Sequence, residues 1–182
     1  MSELEKEVCP ILKPLLSTAD LNGFAVDELA AGVLARWAFK TAIVRNLGTN
    51  YRAIVPPSQF SEFYATRRIP NFTYVDLAIA HTHESLSGLQ SQTLTGIVEM
   101  GDEEPIKRAI SGLYNIVLGL NHALLRVVHF PMSGYTVRSE LAHGRRAFRL
   151  HPNGMSGLLN EEAVVSDLFD LEVSTFFEPV TD

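Results

Sequence analysis

The chain has 182 residues, 46% apolar and 20% charged, with a formal net charge of −6 and one cysteine; these are the proportions of an ordinary globular domain with a single core. The longest apolar candidate, 116–130, is interrupted by Gly119, Asn121, His122, Arg126 and His129, so no membrane span of about 20 residues is expected, and the lone Cys9 excludes an internal disulfide or a cysteine-rich zinc site. The acidic balance argues against a surface built throughout to hold phosphate, and an acidic start without a following apolar run leads to the expectation of no secretory signal, hence a cytoplasmic protein away from membranes.

Leu4, Val8, Ile11, Leu12 and Leu15 recur at helical spacing, although Pro10 and Pro14 predict an irregular opening helix. Cys9, beside Val8, reads as a small buried hydrophobe. The run from Asp27 to Leu47 is the clearest helix, with Leu29, Val33, Trp37, Thr41 and Val44 as its inward stripe, Leu34, Ala38 and Ile43 widening it, and Gly48 as a left-handed stop. After a short extended stretch, Tyr51 to Val55, Pro57 opens a third helix with Phe60, Phe63 and Tyr64 on its apolar edge, ending before Pro70.

The period then changes from 3.6 to 2: from Thr73 to Ala80, Val75, Leu77 and Ile79 alternate with Tyr74, Asp76 and Ala78, which predicts a strand. Gln92 to Met100 is expected to pair with it across a loop, His81 to Ser91, and residues 101–105 form an acidic turn. Tyr114 to Phe130 alternates over much of its length, and Gly119 is the expected bend that makes one run serve as two strand segments. Pro131 to Ala147 reads as a long basic connection, Phe148 to His151 as a last strand stopped by Pro152, and Asn160 as the cap of a final helix reaching about Phe176. The expected fold is therefore a single α+β domain over 1–182: helices to about residue 70, a small antiparallel sheet over about 72–152, and a C-terminal helix over about 160–176.

Each chemical feature has a functional and a plain reading. His81 and His83 alternate at a strand end, and a His-x-His pair could supply two ligands to zinc or iron, with Asp76 or another histidine as the third; a metal-dependent hydrolase follows on that reading, solvated histidines on the other. Lys40, one turn beyond Trp37, reads as a structural ion pair with a carboxylate such as Asp76 or Glu99, the alternative being a catalytic amine. Asp102, Glu103 and Glu104 with Glu99 read as solvated turn residues, and only secondarily as a magnesium or acid–base cluster. The candidate site is the segment carrying Arg138, His143, Arg145, Arg146, Arg149 and His151, interrupted in charge by Glu140. Such a patch in an acidic chain suggests phosphate or an acidic protein as partner, against a solvated loop that offsets acids elsewhere. Arg67 and Arg68 would extend it if the fold brought them near. No bound cofactor is expected.

Four blocks in order, Met1 to Glu5 with Pro10-Ile11-Leu12, Leu34-Ala35-Arg36-Trp37-Ala38-Phe39-Lys40-Thr41-Ala42, and Phe148-Arg149-Leu150-His151-Pro152, resemble the region that follows the nuclease motif in bacterial and phage HNH-endonuclease-like proteins. The Arg-Trp-Ala-x-Lys-Thr-Ala block is the specific one. In that family the zinc cysteines and the catalytic histidines and asparagine all precede the point where Met1 stands, so no catalytic residue carries over. Met1 is then either the start of a stand-alone derivative of the accessory region or an internal methionine of a longer protein. The resemblance implies a non-catalytic binding module of phage or mobile-element type, an inhibitor of a CRISPR-like or restriction complex being one form of it, with a DNA-positioning accessory domain as the alternative. The expected partner is a protein or a protein–nucleic-acid complex, and the 138–151 segment is the place for direct DNA contact.

Overall fold

The structure, a computed structural model, describes residues 2–17, 23–48, 54–84, 88–91, 112–141, 144–154, 156–166, 170–171, 175 and 177–180, with the side chains of 81–84 and 88–91 excepted. It is α+β, with three helices leading into a predominantly antiparallel sheet. Helix α1, Glu3–Ser17, keeps its two internal prolines and turns Leu4, Val8 and Leu15 inward. Cys9 is exposed, not buried as expected, because one step along a helix rotates a side chain about 100° away from the Val8 face.

Strand β1, Ala25–Val26, precedes helix α2, Glu28–Gly48. Asp27 caps α2 by accepting from the Ala30 N–H at 2.7 Å. The buried face of α2 overlaps the expected one only in part. Leu29 is 77% exposed, and Val44 and Leu47 are also exposed, while Trp37 is only partly buried at the core margin. The inward face is Ala31, Val33, Leu34, Ala35, Ala38, Phe39, Ala42, Ile43 and Asn46, of which Val33, Leu34, Ala38 and Ile43 belong to the expected stripe. Close approach explains Ala31: a Cβ placed on Gly154 would stand 3.1 Å from Ala31 Cβ and 2.8 Å from the Leu150 carbonyl oxygen, so a larger residue at either position would hold the helix off the segment carrying Gly154. Gly48 is the last helical residue and not left-handed. Ala38→Leu is accordingly expected to cost about 1–3 kcal/mol by overpacking, whereas Leu29→Ser should change stability by no more than about 0.5 kcal/mol. Thermal melts of the two variants check this, and equal losses would place the core on the other face.

Helix α3, Pro57–Thr66, begins at a proline as predicted and ends on Arg67 in the left-handed region, φ 59°. Strand β2, Thr73–Glu84, extends into the first four residues of the segment expected to be a loop. Its alternation is as predicted: Val75, Leu77 and Ile79 join the large core under the helices, while Tyr74, Ala78 and Ala80 face two smaller apolar clusters on the opposite side. Both faces of the sheet are thus covered. Strand β3, Gly88–Ser91, follows, and the expected partner strand 92–100 lies outside the described residues, as does the acidic turn 101–105.

Strand β4, Tyr114–His129, is the long one. Extended, 16 residues would span roughly 50 Å, yet the rings of Tyr114 and His129 at its two ends stack with centroids 5.2 Å apart. Just beyond them, a Cβ on Gly112 would lie 3.0 Å from Pro131 Cγ. The strand therefore doubles back at Asn121-His122, the two half-buried positions in an otherwise buried run. Asn121 holds the reversal at φ 56°, a backbone region asparagine tolerates better than most residues, and its side-chain amide donates to the Leu16 carbonyl at the end of α1. The two segments expected from this run exist, but the bend is at Asn121, two residues past Gly119. The first arm pairs with β3 and the second with β2, from Thr73↔His129 to Ile79↔Ala123.

On the far side of β2 lies strand β6, Phe148–His151, as predicted, and beyond its end Ile79 and Ala80 pair in parallel with strand β8, Val164–Val165. Strand β5, Tyr135–Val137, pairs with β9, Phe177–Pro179, and β7, Gly157–Leu158, pairs with β1. At the start of the expected C-terminal helix, Asn160 caps one 3₁₀ turn, Glu161–Ala163, which passes directly into β8. The apolar residues of this first part alternate against the sheet, and helical backbone appears later in the expected span, at 170–171, where Leu171 is buried; of the rest, 175 is described. No helix among the described residues is long and apolar enough to cross a membrane.

Candidate functional site

The basic connection is a strap laid across the back of the sheet. Leu141 and Ala147 are buried beside Val117, Leu124 and Val165, and Val137 packs with Tyr74, Val128 and Phe130. Short backbone bonds fold the strap on itself: Leu141 N donates to Arg145 O at 2.7 Å, and Ala147 N to Ser139 O at 2.8 Å.

Beneath it lies a charged rung across three strands. Asp76 of β2 is the register partner of Arg126 on β4 and of Arg149 on β6. Asp76 and Arg126 are both fully buried. Arg126 Nη2 and Nε donate to Asp76 Oδ2 at 2.7 and 3.1 Å, and Arg149 Nε donates to Oδ1. The remaining donors reach the strap and the tail: Arg126 Nη2 to the Arg138 carbonyl at 3.1 Å, Arg126 Nη1 to Thr175 Oγ1 at 3.2 Å, and Arg149 Nη2 to the Val137 carbonyl at 2.8 Å. The Arg149 guanidinium also sits 5.0 Å above the Tyr74 ring, a favourable place for a cation.

The four predicted site arginines divide in two. Arg149 and Arg145 face inward; Arg145 grips Asp170 at 2.7 Å and 3.2 Å with both arms of its fork. Partial burial works to raise Asp170, but the Ser166 N–H and Arg145 outweigh it and hold the carboxyl below its ordinary range. Arg138 and Arg146 face outward, each about half-exposed beside a glutamate: Arg138 Nε lies 2.9 Å from Glu178 and Arg146 Nε 3.7 Å from Glu140. His151 is kept neutral-leaning by burial and then by the charge of Arg149. His143 lies outside the described residues. Arg67 does not join this group; it rests over Tyr64 and lines a hollow with Glu3, Glu7 and Arg36 at the start of α1.

Lys40 finds a different carboxylate from those expected, donating to Glu5 at 2.6 Å and to Ser2 Oγ at 3.2 Å. The Lys40 hydrogen bond, then the Ser2 N–H, hold Glu5 down at about 2. Glu99 lies outside the described residues. Asp76, the expected third ligand to a His81/His83 metal, has both oxygens taken by guanidinium groups, and the side chains of His81 and His83 lie outside the described ones. Among the described residues no three His, Cys, Asp or Glu side chains are placed to share a metal.

A second buried polar group stands on the front of the sheet, and composition gave no sign of it. The Tyr114 hydroxyl donates to Gln59 Oε1 at 2.7 Å, Gln59 Nε2 faces His129 Nε2 at 2.9 Å, and Thr73 Oγ1 faces His129 Nδ1 at 3.0 Å. With the Gln59 amino group donating, Nε2 is the acceptor and the Nδ1–H donates to Thr73. Burial pushes the Tyr114 phenol up and His129 down to about 4. Arg126 and Asp76 had a legible signal: one charge of each sign inside two otherwise apolar strand runs is the pattern of a buried pair.

No family model, curated protein or solved structure matches the chain.

Proposed function

We propose that the chain is a non-catalytic binding module whose partner is a protein surface of mixed or acidic charge, engaged by the outward side of the strap. The supporting observation is the alternation of sign there, Arg138 beside Glu178 and Arg146 beside Glu140. A phosphate backbone is met by an unbroken positive strip. Exposed pairs of opposite sign are worth at most about 1 kcal/mol each, so they exchange readily for a partner's charges and fix orientation. Arg145 and Arg149 then act as positioning residues that hold the strap on the sheet. The likeness to the region following an HNH module adds a finer reading, a phage or mobile-element origin with a CRISPR-like or restriction complex as target.

The test is Arg138→Ala/Arg146→Ala, which removes two surface pairs and should melt like the parent. Tagged parent and variant are compared for capture of a partner from host lysate and for duplex DNA affinity across a salt series. The expected result is one protein lost by the variant, with weak DNA affinity unchanged. Tight DNA binding whose salt slope falls by about one per arginine removed would establish the DNA-positioning reading instead, and unaltered partner capture would move the interface off the strap.

A further inference from the structure

Helix α3 is held to the domain by very little. Of its ten residues only Gln59 and Phe63 are buried, Phe63 against Phe39 with ring centroids 5.1 Å apart, and Phe60 is partly buried against the same core. The chain turns at both ends of it, at Pro56-Pro57 and at the left-handed Arg67. Before it, Asn46 Oδ1 accepts from the Ile54 and Val55 N–H groups, both at 3.2 Å, so the anchored segment ends where α3 begins.

The polar half of that attachment is a run of hydrogen bonds in one direction: Tyr114 to Gln59, Gln59 to His129, His129 to Thr73. The Thr73 hydroxyl bears in turn on the Tyr114 oxygen, favouring negative charge there. Each group donates to a neighbour that accepts. One more proton leaves no acceptor for it, since a cationic imidazole donates from both nitrogens and Nε2 then faces the Gln59 amino group. Turning the amide over satisfies Nε2 but sets the amino group against the Tyr114 hydroxyl, and a buried donor is orphaned at the next position. The groups facing His129 are Gln59 from α3, Thr73 from β2 and Tyr114, stacked on it, from β4; of these only Tyr114 titrates, and no charged group contributes to the shift of His129.

We propose that α3 is a latch released by protonation of His129, so that in acid the helix lifts from the sheet end while the sheet itself stays folded. Release returns the imidazole to water and its ordinary affinity for protons. With 6.5 for the free and about 4 for the latched imidazole, the opening equilibrium should rise about 50-fold between pH 7 and pH 4.5.

Amide hydrogen exchange, expressed as protection so that the pH dependence of the intrinsic rate cancels, reads this directly on the whole chain. Residues 57–66 are expected to lose protection by about that factor while 73–80 keep theirs. Parallel loss in both segments would mean global unfolding and overturn the latch. Tyr114→Phe frees the Gln59 amide to turn and accept from the imidazolium, so the acid response of 57–66 should shrink several-fold; an undiminished response overturns the hydrogen-bond argument. His129→Gln keeps one donor and one acceptor without titrating. It should abolish the response, and a response that persists in it assigns the release to another group.

Discussion

Asp76→Ala is expected to destabilise the domain by about 3–5 kcal/mol, the loss typical when one partner of a buried ion pair is removed and the other charge stays behind. Asp76 is the acid between two register partners, Arg126 and Arg149, and Arg126 is wholly buried. Its guanidinium cannot swing to water without breaking the bonds to Thr175 and to the strap carbonyl of Arg138. The double variant Asp76→Leu/Arg126→Met should recover part of the loss, because the wholly buried charges are replaced by packed apolar groups, while Arg149 loses its carboxylate and keeps the Val137 carbonyl and the Tyr74 ring. Urea unfolding of the two variants decides the matter. A single variant within 1 kcal/mol of the parent would mean that water reaches the rung and that the strap is not closed over it. The double variant loses the tether to the Arg138 carbonyl as well, so even with part of the stability recovered it should show faster exchange along 135–141 than the parent.

Acid is expected to cost the fold about 3 kcal/mol through His129 alone between pH 7 and pH 4. Burial lowers this imidazole to about 4 from an ordinary 6.5, so in that interval the unfolded chain binds the proton that the folded chain refuses. The stabilisation is complete above pH 6.5 and is lost as pH falls toward 4. Glu5 and Asp170, both held below their ordinary values, act in the same sense further down: their contribution is present above the free carboxyl range and fades as pH drops through the lowered one. Urea midpoints at half-unit pH steps should therefore fall steeply from 6.5 to 4, and His129→Gln should flatten that part of the curve. A parent curve already flat there would show that His129 keeps its ordinary affinity for protons and is solvated in the fold.

The fold was legible where one physical signal dominated. Period-2 alternation placed β2 and its two faces, Pro57 marked the first turn of α3, and Pro152 marked the end of β6. The face of α2 was read only in part: Val33, Leu34, Ala38 and Ile43 are buried as expected, but Leu29 and Val44 outrank alanine in hydrophobicity and were placed inward where the small Ala31, close to Gly154, is the buried residue. The start of the C-terminal segment differs for a related reason: a capping asparagine with apolar residues after it fits a helix or a 3₁₀ turn running into a strand, and only the open edge of β2 beside Val164 decides between them, with helical backbone met later at 170–171. Gly119 suggested a bend on conformational freedom alone; Asn121 won because its amide has a carbonyl to hold at the end of α1. Of the candidate site, the arginines were visible as a cluster in the chain, but their division into inward and outward pairs depends on which acid each one meets: Asp76 and Asp170, 73 and 25 positions from Arg149 and Arg145, against Glu178 and the nearby Glu140.

The strap separates two kinds of sequence constraint. The residues that hold it, Arg145, Arg149, Leu141 and Ala147, point to the sheet, while Arg138, Glu140 and Arg146 point away from it. The backbone turns at Gly134 ahead of them and at Gly144 between Leu141 and Arg145, both at positive φ. Outward positions are therefore free to diverge without asking the core to repack, as variable loops do on a conserved frame. A set of chains with the same rung and different outward residues would share one scaffold and choose different partners, and a library randomised at 138, 140 and 146 would sample that choice while leaving the melting behaviour of the parent in place.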